Sequence, residues 1–330
     1  MTRGSSILND IGVVVIGRNE GDRLIRCLDS IQKYTTKIVY VDSGSDDDSV
    51  FRSRAKGIEI VELDLTVPFT AARARNEGFK RLYNLVPRLN YVQFVDGDCE
   101  VAIEWFTNAI DYLDTHDRVA VVCGRRRERF PEHSIYNKLC DIEWDTPIGS
   151  TDSCGGDFLS RCTAFKEVGG FNSDLIAGEE PDLCLRMRGG GWGIQRIGFE
   201  MTIHDANISS FKQWWLRCVR AGYACAEGFV LHQNSRQGYC KKEVISITLW
   251  AFIIPICIFC LIFLNPYFTS LLLVYPLKVF QISKRVKNKI HNNILYSLFV
   301  MIGKFAEFVG QTMFVYNKIK NKKSGIIEYK

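Results

Sequence analysis

Five short apolar runs in the first 125 residues constrain this chain most: Gly12–Ile16 (GVVVI), Lys37–Val41 (KIVYV), Ile58–Leu63 (IEIVEL), Tyr91–Val95 (YVQFV) and Val119–Cys123 (VAVVC). Each is nearly continuous and rich in β-branched residues, the pattern of strands buried on both faces of a parallel sheet. Between them Leu24, Cys27/Leu28 and Ile31 recur at helical spacing, as do Phe79, Leu82 and Leu85/Val86. The alternation predicts an α/β domain, a mostly parallel sheet flanked by helices. Ligands of such open sheets sit beyond the carboxyl ends of the strands. Two of those ends carry carboxylates: Asp42 after KIVYV, and Asp96 with Asp98 after YVQFV. Beyond Arg125 the pattern is less regular and is punctuated by paired glycines. We read residues 10–125 as a nucleotide-binding half and 126–236 as an acceptor half of one catalytic domain spanning 1–236.

After residue 236 the composition shifts. Val244–Leu264 runs 21 residues without a charge, long enough to cross a bilayer core of roughly 30 Å. Asn265-Pro266 signals a turn. Tyr267–Ile282 is a shorter apolar stretch interrupted by Pro276 and Lys278. Ile294–Tyr316 is a third, in which Lys304 and Glu307 share a helical face, the mark of an interfacial helix or of a paired face against other helices. Residues 237–330 are therefore expected to form membrane-anchoring helices with a basic cytoplasmic tail. The net charge of +5 hides an asymmetry: from Lys278 onward there are 11 Lys/Arg against 2 Asp/Glu, so residues 1–277 are net acidic. A basic excess confined to this tail points to an anionic membrane face and membrane lipid rather than nucleic acid. If the first two apolar segments form a hairpin, Lys241-Lys242, the cluster Lys284–Lys289 and Lys318–Lys323 all lie in the cytoplasm by the positive-inside rule. The expected location is the cytoplasmic membrane, multi-pass, with the catalytic domain in the cytosol. The start, MTRGSSILND, lacks the apolar core of a signal peptide. The 12 cysteines are scattered without zinc spacing, as in a reduced compartment.

Several constellations carry chemistry. Asp96-Gly97-Asp98 places two carboxylates on a tight turn where both can reach one hard cation, Mg²⁺ or Mn²⁺, shared with substrate phosphates. Asp42-Ser43-Gly44-Ser45 offers a carboxylate that can accept from a nucleobase imide, although an ordinary Asx/Ser turn has the same residues. Gly178-Glu179-Glu180-Pro181-Asp182 leads into a helix for which Pro181 suits the first position, placing Glu180 where it can act as general base. Arg75, in the segment Thr70–Gly78, can pair with phosphate oxygens. His204 is a potential metal ligand. Gly155, Asp157, Trp214 and Trp215 are weaker candidates for the acceptor side.

Together these residues resemble the family-2 glycosyltransferases, inverting enzymes of the Rossmann-like glycosyltransferase A fold. The resemblance rests on VVVIGRNE, VDSGS, ARNEG, FVDGDCE, VGGF and GEEPDLCLRMRGGGW, in that order, and covers roughly residues 10–235. It implies that Asp42 contacts the base of a nucleotide-sugar donor, that Asp96 and Asp98 hold the divalent cation and the diphosphate, and that Glu180 is the general base. Ser43, Arg75 and Asn76 join Asp42 and Asp96 as candidates for binding the donor, and His204 joins Asp96 and Asp98 as a candidate metal ligand. Glu180 stands where the family has Asp, so Asp182 and Glu179 stay open as alternatives. Ser43 stands where the family often has Asp. The C-terminal half looks like a bacterial branch acting in exopolysaccharide or cell-surface glycan synthesis, with a glycan or lipid-linked acceptor. Gln213-Trp214 resembles part of the QxxRW motif of processive synthases, but Arg217 lies four residues after Gln213 and no Trp follows it, so processive extrusion is not expected. A sugar nucleotidyltransferase would need a Gly-rich loop with Lys after the first strand, which Gly17–Gly21 does not supply. A non-catalytic scaffold would have no reason to retain Asp42, Asp96, Asp98 and Glu180 together. An oxidoreductase would need a GxGxxG after the first strand.

Overall fold

The computed structural model describes residues 10–235, 238–287, 293–322 and Ile327. Of the residues singled out above, Arg236, Lys289, Lys323 and the first nine of the chain lie outside these. The chain divides into two compact units, Met1–Asn207 and Ile208–Lys330.

The first unit follows the predicted alternation: β1 (Ile11–Gly17), α1 (Asp22–Gln32), β2 (Ile38–Asp42), α2 (Ser49–Ala55), β3 (Glu59–Glu62), α3 (Ala71–Leu85) and β4 (Tyr91–Asp96). β3, β2, β1 and β4 lie side by side and parallel. α3 starts at Thr70, whose side chain caps the Arg73 amide. It lies close on the sheet through Gly78, where a Cβ would come within 2.4 Å of Val14 and 2.8 Å of Val41.

The chain continues through β5 (Cys99–Val101), α4 (Trp105–Thr115), β6 (Val119–Glu128), α5 (Ile135–Glu143), β7 (Gly149–Ser150), β8 (Phe158–Arg161), α6 (Cys162–Glu167), α7 (Glu179–Gly189) and β9 (Gly193–His204). The sheet order is β3-β2-β1-β4-β8-β6-β9-β5, with β7 beside β9. Only β6–β9 is parallel in this half; β4–β8, β6–β8, β5–β9 and β7–β9 are antiparallel. The sheet is thus mixed, and the irregularity of the sequence after Arg125 marks the change from crossover connections to short antiparallel returns. Phe94, Phe158, Phe165 and Phe171 pack beneath β4 and β8 with ring centroids 4.6–6.1 Å from their aromatic neighbours.

The second unit is helical: α8 (Phe211–Leu231), α9 (Lys241–Thr248), a π-helical turn (Leu249–Ile253), α10 (Ile254–Leu264), a 3₁₀ segment (Pro266–Leu273), α11 (Val274–Val286) and α12 (Asn293–Ile319). α8, which the sequence reading placed in the catalytic half, groups with the C-terminal helices. The cause is close backbone approach. A Cβ on Gly222 would lie 1.9 Å from the Glu307 carbonyl oxygen, and one on Gly310 would lie 2.0 Å from that of Val219. Two helices, Lys241–Leu264 and Asn293–Ile319, are long and apolar enough to cross a membrane by length and composition; little of the first and a third of the apolar part of the second are buried within the protein. Tyr267–Ile282 falls across the 3₁₀ segment, which Pro266 opens, and α11, whose first turn holds Pro276. Lys304 and Glu307 pair with each other at 2.7 Å.

Candidate active site

The register of the parallel strands sets the frame. Gly17 of β1 lies opposite Asp42, and Ile16 opposite Asp96. The two carboxylates therefore flank the end of β1, about two strand spacings (roughly 10 Å) apart. This is the carboxyl edge at which open α/β sheets bind ligands.

Asp42 is buried and saturated. Its Oδ1 accepts from the Tyr40 hydroxyl (2.7 Å) and the Ser45 hydroxyl (2.5 Å), and its Oδ2 from the amides of Gly44 (2.9 Å) and Ser45 (2.8 Å). Four donors match the acceptor capacity of a carboxylate, so Asp42 organises the 43–45 turn first. Gly44 needs its positive φ there. Ser43 is buried beside it, its amide donating to the Gly17 carbonyl at 3.0 Å.

Asp96 sits in an ionic network. Arg75 is almost fully buried; its Nη2 lies 2.7 Å from Asp96 Oδ1 and its Nη1 2.7 Å from Glu179 Oε1. Arg126 reaches Asp157 at 2.8 Å and Asp96 at 3.6 Å. Burial pushes the Asp96 carboxyl up, but the Arg75 and Arg126 guanidiniums outweigh it and hold it below the usual carboxylate range. Asp157 is fully buried; it accepts from the Asp96 amide at 3.0 Å and from the Thr202 hydroxyl at 2.7 Å. Through these bonds it supports Asp96.

Asp98 turns toward β9. The pairing of Cys99 with His204 brings His204 Nε2 to 3.1 Å from Asp98 Oδ2. On the other side of the ring, Nδ1 is 4.0 Å from Glu128 Oε2 and has no hydrogen-bond partner among the described residues. Asp98, Cys99 and His204 offer ligand atoms within 4.8 Å of one another. The carboxylate oxygen suits a cation of the Mg²⁺/Mn²⁺ class and the imidazole nitrogen a transition metal, so the pair fits a divalent transition-metal ion such as Mn²⁺ better than Mg²⁺.

Glu180 lies on α7, which begins at Glu179 behind Gly178 in the left-handed conformation. Pro181 is thus the third helical residue, not the first, and Glu180 is inside the first turn. Its Oε1 accepts from the Cys154 amide (2.5 Å), the Cys154 thiol (3.0 Å) and the Cys184 thiol (3.1 Å). Burial raises its carboxyl, only partly countered by these donors and the Gly155 amide. The loop Cys154-Gly155-Gly156-Asp157 links this carboxylate to the ionic network: a Cβ on Gly156 would fall 2.8 Å from Asp96 Oδ2 and 2.9 Å from Arg75 Nη2.

Asp182 and Asn76 are directed elsewhere. Asp182 is clamped by Arg186, with Nη2 at 2.7 Å and Nε at 2.9 Å. Asn76 donates to the Phe171 carbonyl at 2.8 Å and accepts from the Phe171 amide at 2.9 Å. It pins the VGGF turn. Trp214 is buried in the second unit, edge-on to Phe299 at 5.0 Å, and Trp215 lies near Phe211 at 5.7 Å. Gln213 closes a capping box with Ser210 at the start of α8, which accounts for it without a synthase motif. Sequence reasoning missed Arg126, Glu128, Cys154 and Cys184. The signal for Arg126 and Glu128 was available: β6 runs five residues past Cys123, and strand alternation puts residues 126 and 128 on one face.

The mixed sheet with acidic groups at its carboxyl edge is a glycosyltransferase A type fold. Residues 12–160 match the family model described as glycosyl transferase family 2. Among solved structures, the mannosyltransferase PcManGT from Pyrobaculum calidifontis, in complex with GDP-Man and Mn²⁺, is similar with a TM-score of 0.61 and 15% identity, over 92% of this chain and 87% of that one. A mycobacterial protein is similar with a TM-score of 0.50 and 18% identity, over 69% and 76%. No curated protein sequence matches the chain.

Proposed function

We propose that the chain is an inverting, metal-dependent glycosyltransferase that moves a sugar from a nucleoside diphosphate sugar to a glycan or lipid-linked acceptor. The observation that carries this reading is the single loop 154–157, which joins the buried carboxylate Glu180 to the Arg75–Asp96 network beside Asp98 and His204. The bound GDP-Man and Mn²⁺ of the similar mannosyltransferase favour the same use of this edge.

In this reading Asp98 and His204 hold the cation with Asp96 beside them, and the donor's base lies over the 42–45 turn. Direct reading of the base by Asp42 requires it to release one of its present donors, of which the Ser45 hydroxyl is the most easily turned. A divalent cation bound there neutralises charge on the diphosphate as it leaves. Arg75 and Arg126 supply fixed positive charge at the same edge. Glu180 takes the proton from the acceptor hydroxyl. The acceptor oxygen bonds to the anomeric carbon as the bond from that carbon to the diphosphate breaks on the opposite face, which inverts the centre. Asp182, bound to Arg186, and Glu179, bound to Arg75, are less free to do this.

The two long apolar helices, with basic residues after them, favour anchoring at the cytoplasmic face of a membrane. That placement suits a lipid-linked acceptor and synthesis of exopolysaccharide or surface glycan. The test is a transfer assay with uridine, guanosine and thymidine diphosphate sugars, with Mn²⁺ or Mg²⁺, on membrane-extracted lipid acceptors. Release of free nucleoside diphosphate with product of inverted configuration is expected. Turnover of nucleoside triphosphate with sugar phosphate instead would assign the fold to nucleotidyl transfer.

A further inference from the structure

Cys154, Glu180 and Cys184 form a second ligand cluster, distinct from Asp98 and His204. Glu180 and Cys184 are one turn apart on α7, so they share a face, and Cys154 meets them from the loop before β8. The Cys154 and Cys184 sulfurs are 3.5 Å apart, and each thiol lies 3.0–3.1 Å from the same Glu180 oxygen. Zinc–sulfur bonds of about 2.3 Å and zinc–oxygen bonds of about 2.0 Å give tetrahedral edges of roughly 3.8 Å between sulfurs and 3.5 Å between sulfur and oxygen. The observed triangle is smaller by only a few tenths of an ångström. Thiol ligands select soft cations, and two of the three ligands here are thiols, against one, Cys99, in the cluster with Asp98 and His204.

We propose that Cys154, Glu180 and Cys184 bind a soft divalent cation of the zinc or cadmium class, and that the bound cation holds the transferase off. Binding replaces the two thiol–carboxylate hydrogen bonds with two metal–thiolate bonds and one metal–carboxylate bond. The two thiol protons pass to solvent, so affinity rises with pH. The cation then occupies the oxygen that would accept the acceptor's proton. This inhibitory half rests on Glu180 being the base; the binding half does not.

The test is a cadmium titration of the full chain in excess Mg²⁺, read by sulfur-to-metal charge-transfer absorption. One equivalent is expected to enter with a two-thiolate band, which Cys154→Ser/Cys184→Ser loses and Cys99→Ser keeps. Transfer should fall in step with the band and return when a dithiol chelator removes the metal. The same band in the double variant overturns the site. X-ray absorption with one equivalent of Zn²⁺ leaves the site itself unaltered when made on Cys225→Ser/Cys240→Ser, which removes a second close thiol pair: two sulfurs near 2.3 Å support the site, and a shell without sulfur overturns it. A full band with undiminished transfer leaves the site standing and removes Glu180 as the base.

Discussion

Arg75 Nη2 and Asp96 Oδ1 lie 2.7 Å apart, and the same guanidinium holds Glu179 with its other nitrogen. One buried cation thus fastens the carboxyl end of β4 to the start of α7. Arg75→Ala takes from Glu179 the counter-charge it has here and leaves Asp96 with Arg126 alone, at 3.6 Å. Breaking a buried pair from one side costs about 3–5 kcal/mol, and urea denaturation should show a loss of that order. An unchanged midpoint would mean that Arg75 does not carry this connection.

Glu180→Gln should leave donor binding intact and lower kcat by about 10²–10⁴-fold, the usual contribution of a general base. Isothermal calorimetry with nucleoside diphosphate and Mn²⁺ checks the first half and transfer assays the second. Near-normal turnover in this variant would move the base to another group.

The Glu180 carboxyl is raised by burial above the ordinary glutamate value of 4.5, so the base form appears only at higher pH. The acid limb of kcat/KM should therefore fall above 4.5. Stability has the matching sign: the folded state holds this proton more tightly than the unfolded one, so Glu180 makes stability fall as pH rises from 4.5 through the folded value. Asp96, held low, acts oppositely, giving stability that is lost as pH falls through its folded value. Urea midpoints of the wild type and Glu180→Gln across acid pH should differ in slope, with the variant losing the downward component.

Asp98→Ala should abolish the stabilisation by Mn²⁺, which is about 2.7 kcal/mol at one hundred times Kd for a site present only in the folded state. His204→Ala should weaken it. A thermal melt in which both variants respond to Mn²⁺ like the wild type would place the cation elsewhere.

Gly78→Ala places a methyl group within 2.4 Å of Val14 and 2.8 Å of Val41. Overpacking of this kind costs about 1–3 kcal/mol, read as a lowered melting temperature.

The sequence pattern was most informative where one periodicity ruled a whole segment. Val13–Ile16 is apolar on both faces and Val92–Val95 is so but for Gln93, and a central parallel strand hides both faces. Asp42 and Asp96 were legible for the same reason, as first polar residues after such runs. The partners of Asn76 and Asp182 were not legible, because a polar residue inside a motif can serve the fold as readily as a ligand: one pins the Phe171 backbone and the other holds Arg186. Cys154 gave no signal, because its value lies in meeting Cys184 and Glu180 across 26 to 30 residues of intervening chain. The grouping of α8 was equally hidden, since Gly222 reads as a weak helix former until a second backbone is seen against it.

The contact of Gly222 with Glu307, and of Gly310 with Val219, bears on how the molecule is shortened for solubility. Removing α12 while keeping α8 would strip a seam with no side chains to cover the exposed peptide groups. A trimmed variant intended for crystals or assays is better ended before Phe211 than anywhere between Leu231 and Asn293.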